Sequence, residues 1–230
     1  MNPTMSVVIP VRNGARTLAR ALASIAAQTH PPHEIVLVDG HSTDATAQIA
    51  QQTPGVRYLS QQSPGLAAAF NEGIAAAQGE LIAFLSHDDW WEPHKLARQV
   101  AHLQAQPTLQ YTVTHVHFFV EAGFALPLGF RPALLHTTPP AFIPETLLAR
   151  RAVFQTVGLF DPRLTHALDV DWFARAFDAQ LPHAIVPEAL LHKGLHDGNM
   201  SQHIIQNNQN LLLSVRRSLT RKHATTGSDA

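Results

Sequence analysis

Wholly apolar runs separated by helical patterns constrain this chain more than any other feature. Val7-Val8-Ile9, Ile35-Val36-Leu37-Val38 and Leu81 to Leu85 show no polar alternation, and such runs read as strands buried on both faces, which belong to parallel sheets. Leu18, Leu22 and Ile25 recur at helical spacing between the first two runs, giving a β-α-β unit. A helix from about Thr43 to Gln52, a short strand at Val56 to Leu59 and a helix from about Leu66 to Ala77 lead to the third run. Asn13-Gly14, Pro31-Pro32, Pro54-Gly55, Pro64-Gly65 and Gly79 punctuate the series where turns must fall. Strands alternating with helices imply a parallel sheet with helices on its faces, and ligands of such sheets sit beyond the carboxyl ends of the strands.

Beyond a helix from near Pro93 to Gln104, the pattern changes to a longer alternating strand, Tyr111 to Val120, and a proline-rich stretch from Pro127 to Pro144. Phe130, Leu134, Leu135 and Phe142 would anchor that stretch to a core, so it reads as a loop-rich elaboration of one domain rather than as a linker. A strand at Thr146 to Ala149, helices at Ala152 to Val157 and Asp169 to Ala179, a strand at His183 to Val186 and a C-terminal helix at Gln202 to Thr220 complete the map, with residues 221–230 as a disordered tail. A length of 230 residues suits a single domain of this kind.

The bulk numbers exclude more than they assign. With 16 Lys plus Arg against 17 acids and a net charge of -1, no electrostatic footprint for nucleic acid is present, and none is expected as a partner. The absence of cysteine excludes a disulfide scaffold, directs any metal to oxygen or imidazole ligands, and fits a reducing compartment. No apolar run reaches the roughly 18 to 20 residues of a membrane span, and the N-terminus lacks a signal sequence. The expectation is a cytoplasmic protein without a transmembrane segment, peripheral membrane contact staying open. The 15 histidines are scattered from His30 to His223 and read mostly as surface or satisfied polar groups.

The third apolar run stops at Ser86-His87-Asp88-Asp89-Trp90-Trp91. Paired acids at a strand end suggest a metal site in the cleft; equally, Asp88 and Asp89 could cap the helix beginning near Pro93, with Glu92 in its first turn. Asp39 ends the second strand beside Gly40, where it can accept hydrogen bonds from a ribose or a base, whereas Ser42, Thr43 and Asp44 read as the cap and first-turn charge of the next helix. In the helix from Asp169, Trp172, Phe173, Ala176 and Phe177 share an inward face with Asp169 on the same side, while Asp171 and Arg175 lie on a second stripe suited to an i,i+4 ion pair. Asp169 is then either an N-terminal stabiliser or a base poised in a cleft. His115 and His117 share a strand face, a spacing usable by zinc, but no third ligand is identifiable. His196-Asp197-Gly198-Asn199 forms a polar turn.

Taken in order and spacing, Val8-Ile9-Pro10-Val11-Arg12-Asn13, Glu34 to Gly40 with Ser42-Thr43-Asp44, Asn71-Glu72-Gly73-Ile74, Phe84-Leu85 with Asp88-Asp89, Gly158-Leu159-Phe160-Asp161, and Asp169 with Arg175 resemble the family 2 glycosyltransferases of GT-A fold over nearly the whole chain. The resemblance implies one α/β domain over residues 1–220, a mostly parallel central sheet flanked by helices, with 1–105 as the nucleotide-sugar-binding half and 106–220 as the acceptor and catalytic-base half. It implies metal-dependent transfer, with inversion, from a nucleotide-diphosphate sugar, a UDP-sugar first among them. The acceptor would be a saccharide, a lipid-linked molecule, a peptide or a small molecule bearing a hydroxyl.

The same resemblance assigns roles. Pro10, Asn13 and Asp39 would surround the base and ribose, and Asp88 would touch the ribose or a metal-bound water. Asp89 would hold Mn²⁺ or Mg²⁺ against the diphosphate, a hard ion that needs few protein ligands when phosphate and water complete its octahedron. Asp169 falls where the family places its base, and His196 would bind the metal or the diphosphate; the basic residue common near that histidine is not matched, though Lys193 is close, so neutralising the diphosphate would fall to the metal, Lys193 or Arg12. Three departures stand out: Ser86 where an acid is often found two positions before the metal pair, His41 where glycine is common, and Phe70 where some relatives carry a nucleotide-contacting arginine. The rival readings are a catalytically silent sugar-nucleotide-binding relative and a sugar nucleotidyltransferase. The latter is expected to carry a Gly- and Lys/Arg-rich loop after the first strand, whereas Val11-Arg12-Asn13-Gly14-Ala15-Arg16 has one glycine and no lysine.

Overall fold

Every residue of the first strand, β1 (Met5–Val11), is buried, as a run without polar alternation requires at the centre of a sheet. The computed structural model describes residues 3–196, 217, 218 and 220. After β1 come α1 (Leu18–Ala26), β2 (Glu34–Asp39), α2 (Thr46–Gln52), β3 (Val56–Ser60), α3 (Leu66–Ala76) and β4 (Leu81–Phe84). β1 pairs in parallel with β2 on one side and with β4 on the other, and β2 pairs in parallel with β3. The strand order therefore reverses at β1, and the carboxyl ends of β1 and β4 open a crevice at that switch point.

The two-residue period of the strands sorts their side chains into two cores. Met5, Val7, Ile9 and Val11, with Leu81 and Ala83, pack against Leu18, Leu22 and Ile25 of α1. Val8, Ile82 and Phe84 point to the other face, against Phe70 and Ile74 of α3. Gly73 lets α3 lie close on that face, because a Cβ there would overlap the Val8 side chain. Gly73→Ala is expected to destabilise the fold by about 1–3 kcal/mol through overpacking, read as a lower denaturant midpoint at unchanged slope.

The second part adds β5 (Trp90–Trp91), α4 (Lys95–Ala105), β6 (Tyr111–Val120), β7 (Leu148–Arg150), α5 (Val153–Thr156), α6 (Leu168–Asp178) and β8 (His183–Leu195). Its strands join the same eight-stranded sheet, in the order β3-β2-β1-β4-β7-β6-β8-β5, with β7 antiparallel to β4 and β6, and β5 antiparallel to β8. The sheet is mostly parallel and has helices on both faces, as expected. No helix among the described residues is long and apolar enough to cross a membrane.

Three local expectations are corrected. The last strand does not stop at Val186: register shifts beside Thr114 and His115 let β8 pass Pro187 as an irregularity and continue to Leu195. The second helix starts at Thr46 rather than Thr43, because Ser42 and Thr43 spend their polar groups on the neighbouring loop and strand end. Phe177, expected inward with Phe173, is 44% exposed, while Trp172, Phe173 and Ala176 are buried. The C-terminal helix expected at Gln202 to Thr220 lies almost wholly outside the described residues, as do Asp197, Gly198 and Asn199 and the expected tail.

Candidate active site

The loops leaving β1 and β2 are stitched to each other. The backbone amides of Asn13, Gly14 and Ala15 donate to Ser42 Oγ, Thr46 Oγ1 and Asp44 Oδ2 at 2.8, 2.8 and 3.0 Å, and Asn13 Oδ1 accepts from the Thr43 amide at 2.8 Å. Asp39 is buried; its Oδ1 accepts from the Ser42 amide and its Oδ2 from the Tyr58 hydroxyl at 2.7 Å. Asn13 and Asp39 thus hold the loop in shape, and neither lines the cavity beside it, whereas Pro10 does. His41 adopts a left-handed backbone with φ 58°, the region glycine occupies without strain.

Beyond β4 the two acids part company. Asp89 is fully buried: its Oδ2 accepts from Lys193 Nζ at 2.9 Å and its Oδ1 from the Gly194 amide at 2.9 Å. Asp88 lines the cavity, with Oδ2 2.8 Å from His196 Nε2. Neither caps a helix. The residue before α4 is His94, which makes no side-chain cap, and β5 intervenes between the acids and α4. Arg20 of α1 donates to the Asp88 carbonyl at 2.7 Å and pairs with Glu121, fixing the turn from beneath.

Lys193 is held from β8, and Glu145 is a second anion on it at 3.3 Å. Ser86, at the place of the missing acid, donates its hydroxyl to the same Glu145 Oε1 at 2.6 Å. Burial alone would strip the lysine of its charge, but Asp89, Glu145 and Asp88 together raise its pKa above the ordinary lysine value. Burial likewise opposes charge on Asp88, yet the His196 hydrogen bond and the Lys193 ammonium hold its carboxyl well below the usual range.

Asp169 enters from the opposite side, in the first turn of α6, after Ala167 at a left-handed φ of 53°. It lines the same cavity, accepts the Val170 amide at 2.9 Å, and is pushed by burial up to about 6, with Glu145 adding to the rise and the Val170 hydrogen bond opposing it. Asp171 is a structural neighbour: it is buried and takes Arg175 Nε at 2.9 Å, the ordinary i,i+4 pair expected. Arg175 also donates to the Val157 and Leu159 carbonyls, and Asn71 of α3 exchanges hydrogen bonds with the Phe160 backbone at 2.8 and 3.0 Å. The Asn71-Glu72-Gly73 and Gly158-Leu159-Phe160-Asp161 motifs therefore knit α3, α5 and α6 into one wall behind the site.

The resulting cavity, about 960 Å³, brings together Pro10, Asp88, Lys193, His196 and Asp169 and leaves out Asn13, Asp39 and Asp89. Glu145 and His87 also line it and were not singled out from sequence. The proline-rich surroundings of Glu145 gave no periodic signal, and His87 stood beside a louder acid pair. Phe70 lies buried in the cavity wall, an apolar surface where a cation was a possibility. Asp88, Glu145 and Lys193 line the cavity together, and the two carboxylates could draw a cation to it. Asp88 and His196 suit that cation: an oxygen and an imidazole nitrogen 2.8 Å apart match the edge of an octahedron with bonds of about 2.1 Å, roughly 3 Å. No group of three or more metal-capable side chains occurs among the described residues, so an ion held by Asp88 and His196 would take its other ligands from phosphate and water. His115 bonds instead to the Thr138 carbonyl.

Residues 6–155 match the family described as Glycosyl transferase family 2. An uncharacterized glycosyltransferase of Nostoc sp. is 48% identical over 101 residues, covering 42% of this chain and 31% of that protein. An uncharacterized glycosyltransferase of Rickettsia typhi is 30% identical over 210 residues, covering 83% of this chain and 65% of that protein. The chain thus spans less than two thirds of both relatives. Among solved structures, S. aureus TarS 1-349 in complex with UDP-GlcNAc aligns with a TM-score of 0.74 at 20% identity, covering 95% of this chain and 66% of that one, a likeness of fold.

Proposed function

The chain belongs to glycosyl transferase family 2, and we propose on that premise that it transfers a sugar, with inversion, from a UDP-sugar to a hydroxyl-bearing acceptor, using a Mn²⁺ or Mg²⁺ ion. The observation that carries this reading is one cavity at the sheet's switch point lined from one side by Asp88, Lys193 and His196 and from the other by Asp169. The solved TarS structures are complexes with UDP and with UDP-GlcNAc, which supports a uridine donor. The nucleotidyltransferase reading loses ground because the amides after β1 that would cradle phosphates already donate to Ser42, Thr46 and Asp44.

In this mechanism Pro10 and the β1 and β2 ends face the nucleotide, and Lys193, held cationic by its three carboxylates, faces the diphosphate. Asp88 with His196 would hold the ion, which supplies Lewis-acid stabilisation of the leaving nucleoside diphosphate. This moves the ligand role from Asp89 to Asp88, since the Asp89 oxygens are spent on Lys193 and Gly194. Asp169 accepts the proton of the acceptor hydroxyl as its oxygen bonds to the anomeric carbon; the bond from that carbon to the diphosphate oxygen breaks on the opposite face. A calorimetric screen of UDP-sugars with and without Mn²⁺ tests the proposal. Asp88→Asn is expected to weaken the Mn²⁺-dependent part of binding at least about 10-fold. Retention of that dependence by Asp88→Asn would return the ligand role to Asp89.

A further inference from the structure

Pairing with Lys193 uses only one oxygen of Glu145. Glu145 sits in the single helical turn Pro144–Thr146, pinned by the Thr146 hydroxyl on the Ala141 carbonyl at 2.7 Å and by Trp91 Nε1 on the Glu145 carbonyl at 3.0 Å. Its side chain is 9% exposed, yet the residue lines the cavity. Oε1 takes both the Ser86 hydroxyl and the Lys193 ammonium, while Oε2 accepts no hydrogen bond among the described residues. A carboxylate offers about four acceptor positions, so this one has acceptor capacity left over at the wall of the cavity.

Its location limits what can use that capacity. Glu145 touches Lys193 and lines the same cavity as Asp169. The transferred sugar is bonded directly to the diphosphate and must present its anomeric carbon to the base, so it occupies the space between these two residues. We propose that Glu145 recognises the ring hydroxyls of the transferred sugar and sets the choice of donor. The proposal rests on the donor-transfer reading above. Ser86 fits it as a positioning residue: the short residue leaves room for a carboxylate delivered from the Pro144–Thr146 turn, and its hydroxyl fixes which oxygen faces inward.

Titration of UDP and of UDP-GlcNAc, UDP-glucose and UDP-galactose into wild type, Glu145→Gln and Glu145→Asp, with Mn²⁺ present, tests this. Because Glu145 also pairs with Lys193, UDP is expected to bind Glu145→Gln somewhat more weakly than wild type, while the preferred UDP-sugar loses roughly 10-fold or more beyond that, the range for losing a hydrogen bond to a charged group. A deoxy analogue lacking the recognised hydroxyl should lose no more than UDP does. Equal losses for UDP and UDP-sugar would overturn the proposal and make Glu145 a support for Lys193. Unchanged UDP-sugar affinity with a raised acceptor KM would overturn it in favour of acceptor contact. Wild type binding no UDP-sugar would instead overturn the donor-transfer reading. Glu145→Asp keeps the charge and withdraws it by one methylene, so it reads the same difference between UDP and UDP-sugar if the Gln variant does not fold.

Discussion

Asp169→Asn is expected to lower turnover about 1,000-fold, within the range for a lost general base, while leaving donor affinity within about twofold. The split follows from geometry: Asp169 enters the cavity from α6, whereas Lys193, Asp88 and His196 approach from the β4 and β8 side. The same residue is expected to set the acid limb of the pH profile. Burial pushes Asp169 up to about 6, Glu145 adds to the rise, and the Val170 amide and Lys193 pull it back. A base works deprotonated, so kcat should rise with pH through about 6 and level off above it. Measured as transfer, or as slow hydrolysis of the donor, unchanged turnover in Asp169→Asn would remove it from the role of base.

Asp89→Ala is expected to lose about 3–5 kcal/mol of folding stability, because it leaves Lys193 partly buried without its nearest anion and removes the carboxylate that the Gly194 amide donates to. At this chain length that corresponds to roughly 10 °C in Tm. Removing one partner of such a pair costs far more than the intact pair contributes, so the loss should exceed that of Asp88→Asn, whose side chain reaches the cavity. Donor binding gives a second readout. Asp89→Ala should weaken UDP with or without Mn²⁺, since Lys193 loses its orientation, whereas Asp88→Asn should remove only the metal-dependent part. Wild-type stability in Asp89→Ala would sink the structural role assigned to the pair.

The parallel core was legible because its signal is local: apolar runs that alternate with helical spacing define β1 to β4 and the helices between them. β5 escaped notice because a two-residue strand carries no periodicity, and β8 was cut short because Pro187 reads as a stop until a bulge in the β6 pairing absorbs it. At the site, strand ends and helix spacing brought out Asp88, Asp89 and Asp169, and the family resemblance added Lys193, but neither gave the direction each faces. Adjacent carboxylates look alike in sequence; only the arrival of Lys193 and Gly194 from β8 buries one and leaves the other in the cleft. Asn13 and Asp39 were read as ligand contacts because loop-shaping acceptors and ligand-facing ones use the same side chains. Glu145 gave no signal because the turn that carries it meets Ser86 only in three dimensions.

The placement of β8 also bears on the order in which this protein acquires its shape. Asp89 meets Lys193 across 104 positions of chain, and Asp88 meets His196 across 108. Contacts that distant are slow to close, because the chain entropy of the intervening loop is spent before any contact repays it. Among the four neighbouring strands, β1 meets β2 across 28 positions, β2 meets β3 across 21 and β1 meets β4 across 76, all shorter. In refolding, recovery of far-ultraviolet ellipticity is therefore expected to run ahead of recovery of UDP binding, and a nascent chain that has emerged only through β4 has a sheet to build upon but not yet a site.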